Sequence, residues 1–287
     1  MKILPLSFDS MGTRSMCTHV ETPDVRILID PGVALGPKRY GLPPHPMEIR
    51  KLEEDWKKII NYGEKADVLV ITHYHYDHYN PDEALNIFYK KVVFVKDPKN
   101  NINFSQKKRA EHFLKRIEDL PKELREADGE KYGIGNTEIK FSRAVFHGTN
   151  PKLGYVTEVL VDDGNERFIH TSDVEGPSTD EQTGFIIEND PSTLFIDGPM
   201  TYMLGYRYSI ENLNRSIENI KRIMKECEVK RIVLDHHLLR DLDWKERMAP
   251  IFEMGREKEI KVETAAEFAG QKTNMLEARR KELYERS

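Results

Sequence analysis

Asp67-Val68-Leu69-Val70-Ile71-Thr72-His73-Tyr74-His75-Tyr76-Asp77-His78 is the stretch that decides how this chain is read. Its apolar run has the length and composition of a buried strand. Directly after it come four metal-grade side chains in the pattern His-x-His-x-Asp-His. A strand end is rigid and opens onto a loop, which suits a site that must hold ligands still and admit substrate. His73 and His75 are two apart, so an extended backbone projects them to the same side. Asp77 and His78 lie beyond the strand and can turn toward a second ion. With the chain's 10 His, chance alone would produce this pattern in roughly one such chain in a thousand. The segment therefore needs partners elsewhere before it counts as a dinuclear site.

Those partners are sought at other strand ends. His147 follows Phe141–Phe146 and precedes Gly148-Thr149-Asn150. Asp173 follows Arg167–Thr171. His236 and His237 follow Arg231–Asp235. Each is a weak signal alone. Together, in a chain that already holds His73, His75, Asp77 and His78, they form a candidate ligand set.

The rest of the chain alternates strands and helices. Lys2–Leu6, Ser15–Val20 and Arg26–Asp30 read as strands. Residues 33–46, rich in Pro and Gly, read as a long ordered loop, and Glu48–Tyr62 has helical apolar spacing. Lys91–Lys96 is a further strand. Residues 99–130 read as a charged helical insertion, with Ser105–Glu126 mostly helical up to a break at Pro121. Its Lys107-Lys108-Arg109 and Lys115-Arg116 are diluted by Glu111, Glu118 and Asp119, so a solvated helix face is the plainer reading. Later strands are expected at Glu138–Val145, Tyr155–Asp162, Arg167–His170, Gly184–Ile187, Thr193–Ile196, Lys230–Leu234 and Ile260–Glu263. Helices are expected at Ser209–Lys225, at Trp244–Lys258 and, as a C-terminal helix, over about 265–287, with an interruption at Gly270 as the alternative. Two blocks of strands, each with helices, predict two facing mixed sheets with helices outside: a four-layer α/β sandwich, αββα, in one domain spanning 1–287.

Composition narrows the function. At 287 residues the chain can bury a large core, and its net charge of -5 gives no global basic field for nucleic acid, although a local basic groove remains open. The two Cys, Cys17 and Cys227, are far apart, which argues against a disulfide framework and fits a reduced, cytoplasmic setting. No stretch approaches a membrane span, so no membrane partner is expected. Many Lys and Glu beside only three Gln is the bias of thermophile proteins.

The ordered set Asp30 (in Leu28-Ile29-Asp30-Pro31-Gly32), His73, His75, Asp77, His78, His147, Asp173 and His236 resembles the metallo-β-lactamase superfamily, over about residues 1 to 265. The resemblance implies the αββα sandwich and two divalent ions, most often Zn2+, with Mn2+ or Fe as alternatives. It would place His73, His75 and His147 on the first ion. Asp77, His78 and a late His would take the second, with Asp173 bridging. Asp30 would orient the histidine cluster. The family's late ligand usually stands two residues after the strand's last apolar residue, which is His236; His237 is the alternative. His75 stands where the diiron oxygen-reducing branch carries Glu, which argues against redox chemistry. The chain looks most like an archaeal-type branch near the lactonase-like and transfer-RNA-processing relatives.

The expected activity is metal-dependent hydrolysis by a metal-bridged hydroxide on a phosphoester or other anionic ester, small-molecule or nucleic-acid. Asp77 and Asp173 are its expected catalytic carboxylates. Tyr202, Arg207, Tyr208 and Arg240 are candidates to grip an anion. A lactone or thioester hydrolase is the nearest alternative, and a non-catalytic metal-binding nucleic-acid adaptor the next. Sequence does not fix the oligomeric state.

Overall fold

The structure is a computed structural model that describes residues 1–286. The first sheet runs in spatial order through β1 (Lys2–Phe8), β2 (Met16–Glu21), β3 (Arg26–Ile29), β4 (Val68–Ile71), β5 (Val92–Val95) and β6 (Glu123–Glu126). The first three are antiparallel; from β3 onward neighbours are parallel. A second sheet begins with β7 (Lys131–Ile134) and β8 (Thr137–Phe141). After a small hairpin of β9 (Val145–Phe146) and β10 (Tyr155–Val156), it continues with β11 (Val159–Asp162), β12 (Arg167–His170), β13 (Thr193–Asp197), β14 (Arg231–Asp235) and β15 (Lys261–Glu263). Strands β12 to β15 are mutually parallel.

Side-chain alternation explains the layering. In β4, Val68 and Val70 join the core between the sheets, while Leu69 and Ile71 pack outward. In β13, Phe195 faces inward and Leu194 and Ile196 outward. A strand buried on both faces is uniformly apolar, which is why the 68–71 run carries no alternating polarity. Outside the first sheet lie α1 (Pro46–Lys65) and α2 (Phe104–Ile117), which bury Ile59 and Phe113 respectively. Outside the second lie α3 (Asp180–Asn189) and α4 (Ile210–Glu226). The short α5 (Trp244–Arg247), α6 (Ala249–Glu257), α7 (Ala265–Phe268) and α8 (Arg280–Glu285) complete the chain. Two mixed sheets face to face with helices outside make the αββα sandwich expected from sequence. Among the described residues, no helix is long and apolar enough to cross a membrane.

Several local expectations are corrected. Gly184–Ile187 is helical, not a strand: it lies inside α3, started by a capping box between Thr179 and Gln182. The charged segment 99–130 is helical only through Ile117; Glu123–Glu126 becomes β6 and extends the first sheet in parallel with β5. The helix expected over 265–287 is two short ones, α7 and α8. The residues between them are extended and turn-like and pack Met275, Leu276 and Ala278 into the body. The helix expected at Trp244–Lys258 divides at Met248 into α5 and α6, with Pro250 at the start of the second.

Candidate metal centre

Parallel strands deliver their C-terminal ends to one edge, where both sheets open onto a common cleft. Asp30 follows β3, His73 follows β4, Asp173 follows β12, Asp197 ends β13 and His236 follows β14. Asp30, Ser172, Glu175 and His236 all hold positive φ, between 49° and 58°, without being glycine. Such backbone is costly for an L-residue and persists where surrounding contacts over-determine it.

The His cluster is oriented from beneath. Asp30 accepts from the Thr72 amide (2.8 Å) and hydroxyl (2.7 Å), and its Oδ2 lies 2.8 Å from His78 Nδ1. Gly32 lets this loop pass directly against His78 and Tyr79, because a Cβ there would run into their backbone. The Ser172 hydroxyl lies 2.6 Å from that of Thr72 and 3.2 Å from His73 Nδ1. Both histidines are thus held at Nδ1, which aims Nε2 inward.

Asp173 occupies the middle. Its Oδ2 lies 3.4 Å from His73 Nε2 and 3.2 Å from His147 Nε2. Its Oδ1 lies 2.9 Å from His78 Nε2 and 3.4 Å from His236 Nε2. His75 joins the first group, with His73, His147 and Asp173 all offering ligand atoms within 4.8 Å of one another. Asp77 joins the second, with His78 and His236. The structure therefore brings together all seven residues singled out from sequence.

The donor atoms fit a cation. Nε2 of His73, His78 and His147 and Oδ1 of Asp173 are buried without a hydrogen-bond partner. An orphaned buried polar atom is costly, and a ring of orphaned imidazole nitrogens around a carboxylate is relieved by a metal ion. Burial, with help from neighbouring His78, lowers His73 to about 4, so its imidazole is neutral and can ligate. Burial works against protonation of His236 as well, but Asp173 and Asp9 outweigh it and lift the group to about 10. An ion there would displace that proton. Burial likewise opposes ionisation of Asp77, yet His78 and His236 hold its carboxyl well below the usual range.

Several participants were not visible in sequence. Asp9 Oδ2 lies 2.7 Å from His236 Nδ1, and its Oδ1 accepts from Arg240 Nε at 2.8 Å. Asp197 takes His237 Nδ1 at 2.9 and 3.0 Å with its two oxygens. Glu175 Oε1 lies 3.5 Å from His147 Nδ1. All three acids sit at or just beyond a strand, the same signal that points to Asp173.

The cleft has a volume of about 970 Å³. His75, Asp77, His147 and Asp173 line its floor; Arg14, Arg109, Lys152, Arg207 and Arg240 line its walls. Of the anion-gripping candidates, Tyr208 is engaged elsewhere: its buried hydroxyl bonds to Ser178, Ser216 and the Glu175 carbonyl. Tyr202 lines the cleft beneath the Arg39 guanidinium, 4.8 Å from its ring centre. Arg240 is fully buried between Asp9 and His236.

Residues 13–214 match the sequence model of the β-lactamase superfamily domain. A UPF0282 protein from Korarchaeum cryptofilum is 56% identical over 285 residues, covering 99% of this chain and 95% of that protein. The chain belongs to the metallo-β-lactamase superfamily. A second UPF0282 protein, from Sulfurisphaera tokodaii, is 45% identical over 100% of this chain and 94% of its own length. Among solved structures, a possible metal-dependent hydrolase from Veillonella parvula superposes with a TM-score of 0.55 at 16% identity, covering 88% of this chain and 94% of its own. A metallo hydrolase from Ignicoccus hospitalis gives 0.51 at 16%, covering 91% and 93%. These structures share the superfamily's sandwich. The superfamily assignment makes this chain a member of a group of metal-dependent hydrolases and matches the His/Asp cluster found at the sheet edge.

Proposed function

We propose that this chain is a dinuclear metallohydrolase acting on phosphoesters or closely related anionic esters. The observation that carries the reading is Asp173: each of its oxygens faces a different set of imidazoles. One carboxylate between two nitrogen clusters is the arrangement expected where two cations share a ligand. His73, His75 and His147 would hold one ion, and Asp77, His78 and His236 the other, with Asp173 between. Imidazole and carboxylate without thiolate suit Zn2+, then Mn2+ or Fe. When bound, two such ions polarise the ester oxygen and acidify water for attack.

The protein groups have separable tasks. Asp77 is ionised and faces the cleft, so a carboxylate oxygen accepts a hydrogen bond from the attacking water and orients it. So low a carboxyl is a poor proton store, which favours orientation over proton removal. His237, fixed at Nδ1 by Asp197, presents Nε2 toward the cleft. Arg109, Lys152 and Arg207 line the walls without a carboxylate partner among the described residues, so their charge is free to meet an anionic substrate. That surplus of cations favours a phosphoester over a neutral lactone. Two buried free thiols suit a cytoplasmic setting.

The test is metal content per chain beside turnover of bis(p-nitrophenyl) phosphate, in wild type, His75→Ala and Asp173→Ala. About two ions per wild-type chain, with both metal and turnover lost in the variants, is the expected result. Turnover confined to lactones or thioesters would overturn the substrate class, and a metal-loaded protein inert on every ester would overturn the hydrolase.

A further inference from the structure

The mouth of the cleft continues onto a surface that a small ester would never touch. On one side, Tyr76 is 48% exposed and the Arg109 guanidinium sits 4.6 Å over its ring. On another, Tyr206 is 78% exposed with Arg207 at 5.5 Å. Outside the cleft itself, at the start of α2, Phe104 is 73% exposed and Lys108 lies 4.5 Å over it. The lip is continuous: Asn103, which caps α2, donates through Nδ2 to the Lys152 carbonyl at 3.1 Å, and Lys152 lines the cleft.

Charge on this surface is divided unevenly. Farther along α2, His112 and Arg116 are tied to Asp82, at 3.1 and 3.6 Å. Lys107, Lys108 and Arg109, toward the cleft, have no carboxylate within ion-pair distance among the described residues. Nothing acidic stands in the first turn of the helix; Glu111 is the first acid met along it. A solvated helix face is the expectation for this cluster, and the exposure of Lys107 and Lys108 fits it, but Arg109 turns into the cleft.

Exposed rings spaced among unneutralised cations suit one kind of partner. Bases need a flat apolar surface to stack on, and the linking phosphates need positive charge alongside. A peptide would leave the cations unanswered, and a lipid surface would call for a larger continuous apolar patch. The cleft volume is already at the upper end for one small ligand, so Phe104 and Lys108 lie where only a longer chain reaches.

We propose that the lip formed by Phe104, Lys107, Lys108, Arg109 and Tyr76 binds a single-stranded nucleic acid, whose phosphodiester backbone leads one end into the cleft. This rests on the phosphoester reading of the metal centre. The net charge of -5 is no obstacle, because the field that matters is local and screened within about 8 to 10 Å.

The experiment is fluorescence anisotropy with labelled 12-nucleotide oligo(U) and oligo(dT), using the metal-loaded full chain over 50 to 300 mM salt. The variants are Phe104→Ala and the double variant Lys107→Ala/Lys108→Ala, all outside the metal cluster. Saturable binding of either oligomer is expected. Phe104→Ala should weaken it about five-fold or more at unchanged salt dependence, since one stacking platform is removed. The double variant should flatten the slope of log K against log salt by roughly 1.4, two phosphate contacts on a single strand. Absence of binding, or binding indifferent to both changes, overturns the proposal. Turnover of bis(p-nitrophenyl) phosphate with no oligomer binding defeats this surface and leaves the hydrolase reading intact. Binding that the variants weaken, without any ester turnover, supports the surface and counts against the hydrolase.

Discussion

Asp9 and His236, separated by 227 positions in the chain, meet at 2.7 Å between Oδ2 and Nδ1. The contact fixes which imidazole nitrogen is left for the cluster: with Nδ1 held, Nε2 points at Asp173 and Asp77. Carboxylates in this position set the tautomer and raise ligand basicity, and their loss typically costs 10–100-fold in metal affinity. Asp9→Asn should therefore weaken binding of the second ion by about that factor while the first is retained. Competition with a chromogenic chelator measures it. Equal loss of both ions, or no loss, would contradict the role given to Asp9.

Arg280 and Glu48 form an ion pair with no exposed surface on either side chain. The same guanidinium donates to the Gly36 and Leu42 carbonyls, so it ties the C-terminal segment to the loop 33–46 that walls the cleft. Removing one partner strands a buried charge, which costs about 3–5 kcal/mol. Arg280→Ala should lower the melting temperature markedly and open residues 33–46 to protease. Wild-type melting and an uncut loop would show that the tail is not a brace.

Glu277 gives a pH signature. Burial alone would raise its carboxyl, but the bidentate Arg14 (2.6 Å to each oxygen) together with Arg240 and Arg280 pulls it down to about 2. A folded pKa below the unfolded value near 4.5 contributes stability that is complete above pH 4.5 and fades as pH falls through 2. The full effect is about 3 kcal/mol. Glu277→Gln should cost that much in urea unfolding at pH 7 and roughly half as much at pH 3. A difference that stays constant with pH would mean the carboxylate charge is not what stabilises this contact.

Much of this architecture is readable in advance because two signals coincide at strand ends. An apolar run such as 68–71 marks a strand buried on both faces, and a His or Asp just after it marks the edge where parallel strands deliver their loops. That logic singles out His73, His75, Asp77, His78, His147, Asp173 and the adjacent pair His236 and His237. It did not choose between His236 and His237, because adjacent residues differ only in which way a positive-φ backbone turns them, φ being +54° at His236. Asp9 was missed because its partner lies at the far end of the chain. Gly184–Ile187 misled because Phe185, Ile186 and Ile187 favour strands, while the capping box three residues ahead of them commits the segment to helix. The run of charge after Pro121 hid β6, an edge strand with three charged residues in four and no buried position.

Gly32 is the tightest backbone approach under the cluster. Its neighbour Asp30 carries the hydrogen bonds to Thr72 and His78, and the turn Asp30-Pro31-Gly32 passes so close to His78 and Tyr79 that any Cβ collides with main chain, which cannot rotate away as a side chain can. Gly32→Ala must therefore push either the turn or the His78 backbone. The first loosens Asp30 from His78 Nδ1; the second moves Nε2 off Asp173. Both routes end with His78 displaced, and a shift of about 1 Å in a positioned group can cost on the order of 100-fold in rate. Gly32→Ala should thus lose metal from the Asp77, His78 and His236 side and fall in turnover by about that factor. A folded variant with full metal and full turnover would show that the turn yields without disturbing His78. Gly41→Ala is the control, since nothing lies within 4 Å of a Cβ there and only its own positive φ is strained; it should keep both metal and activity.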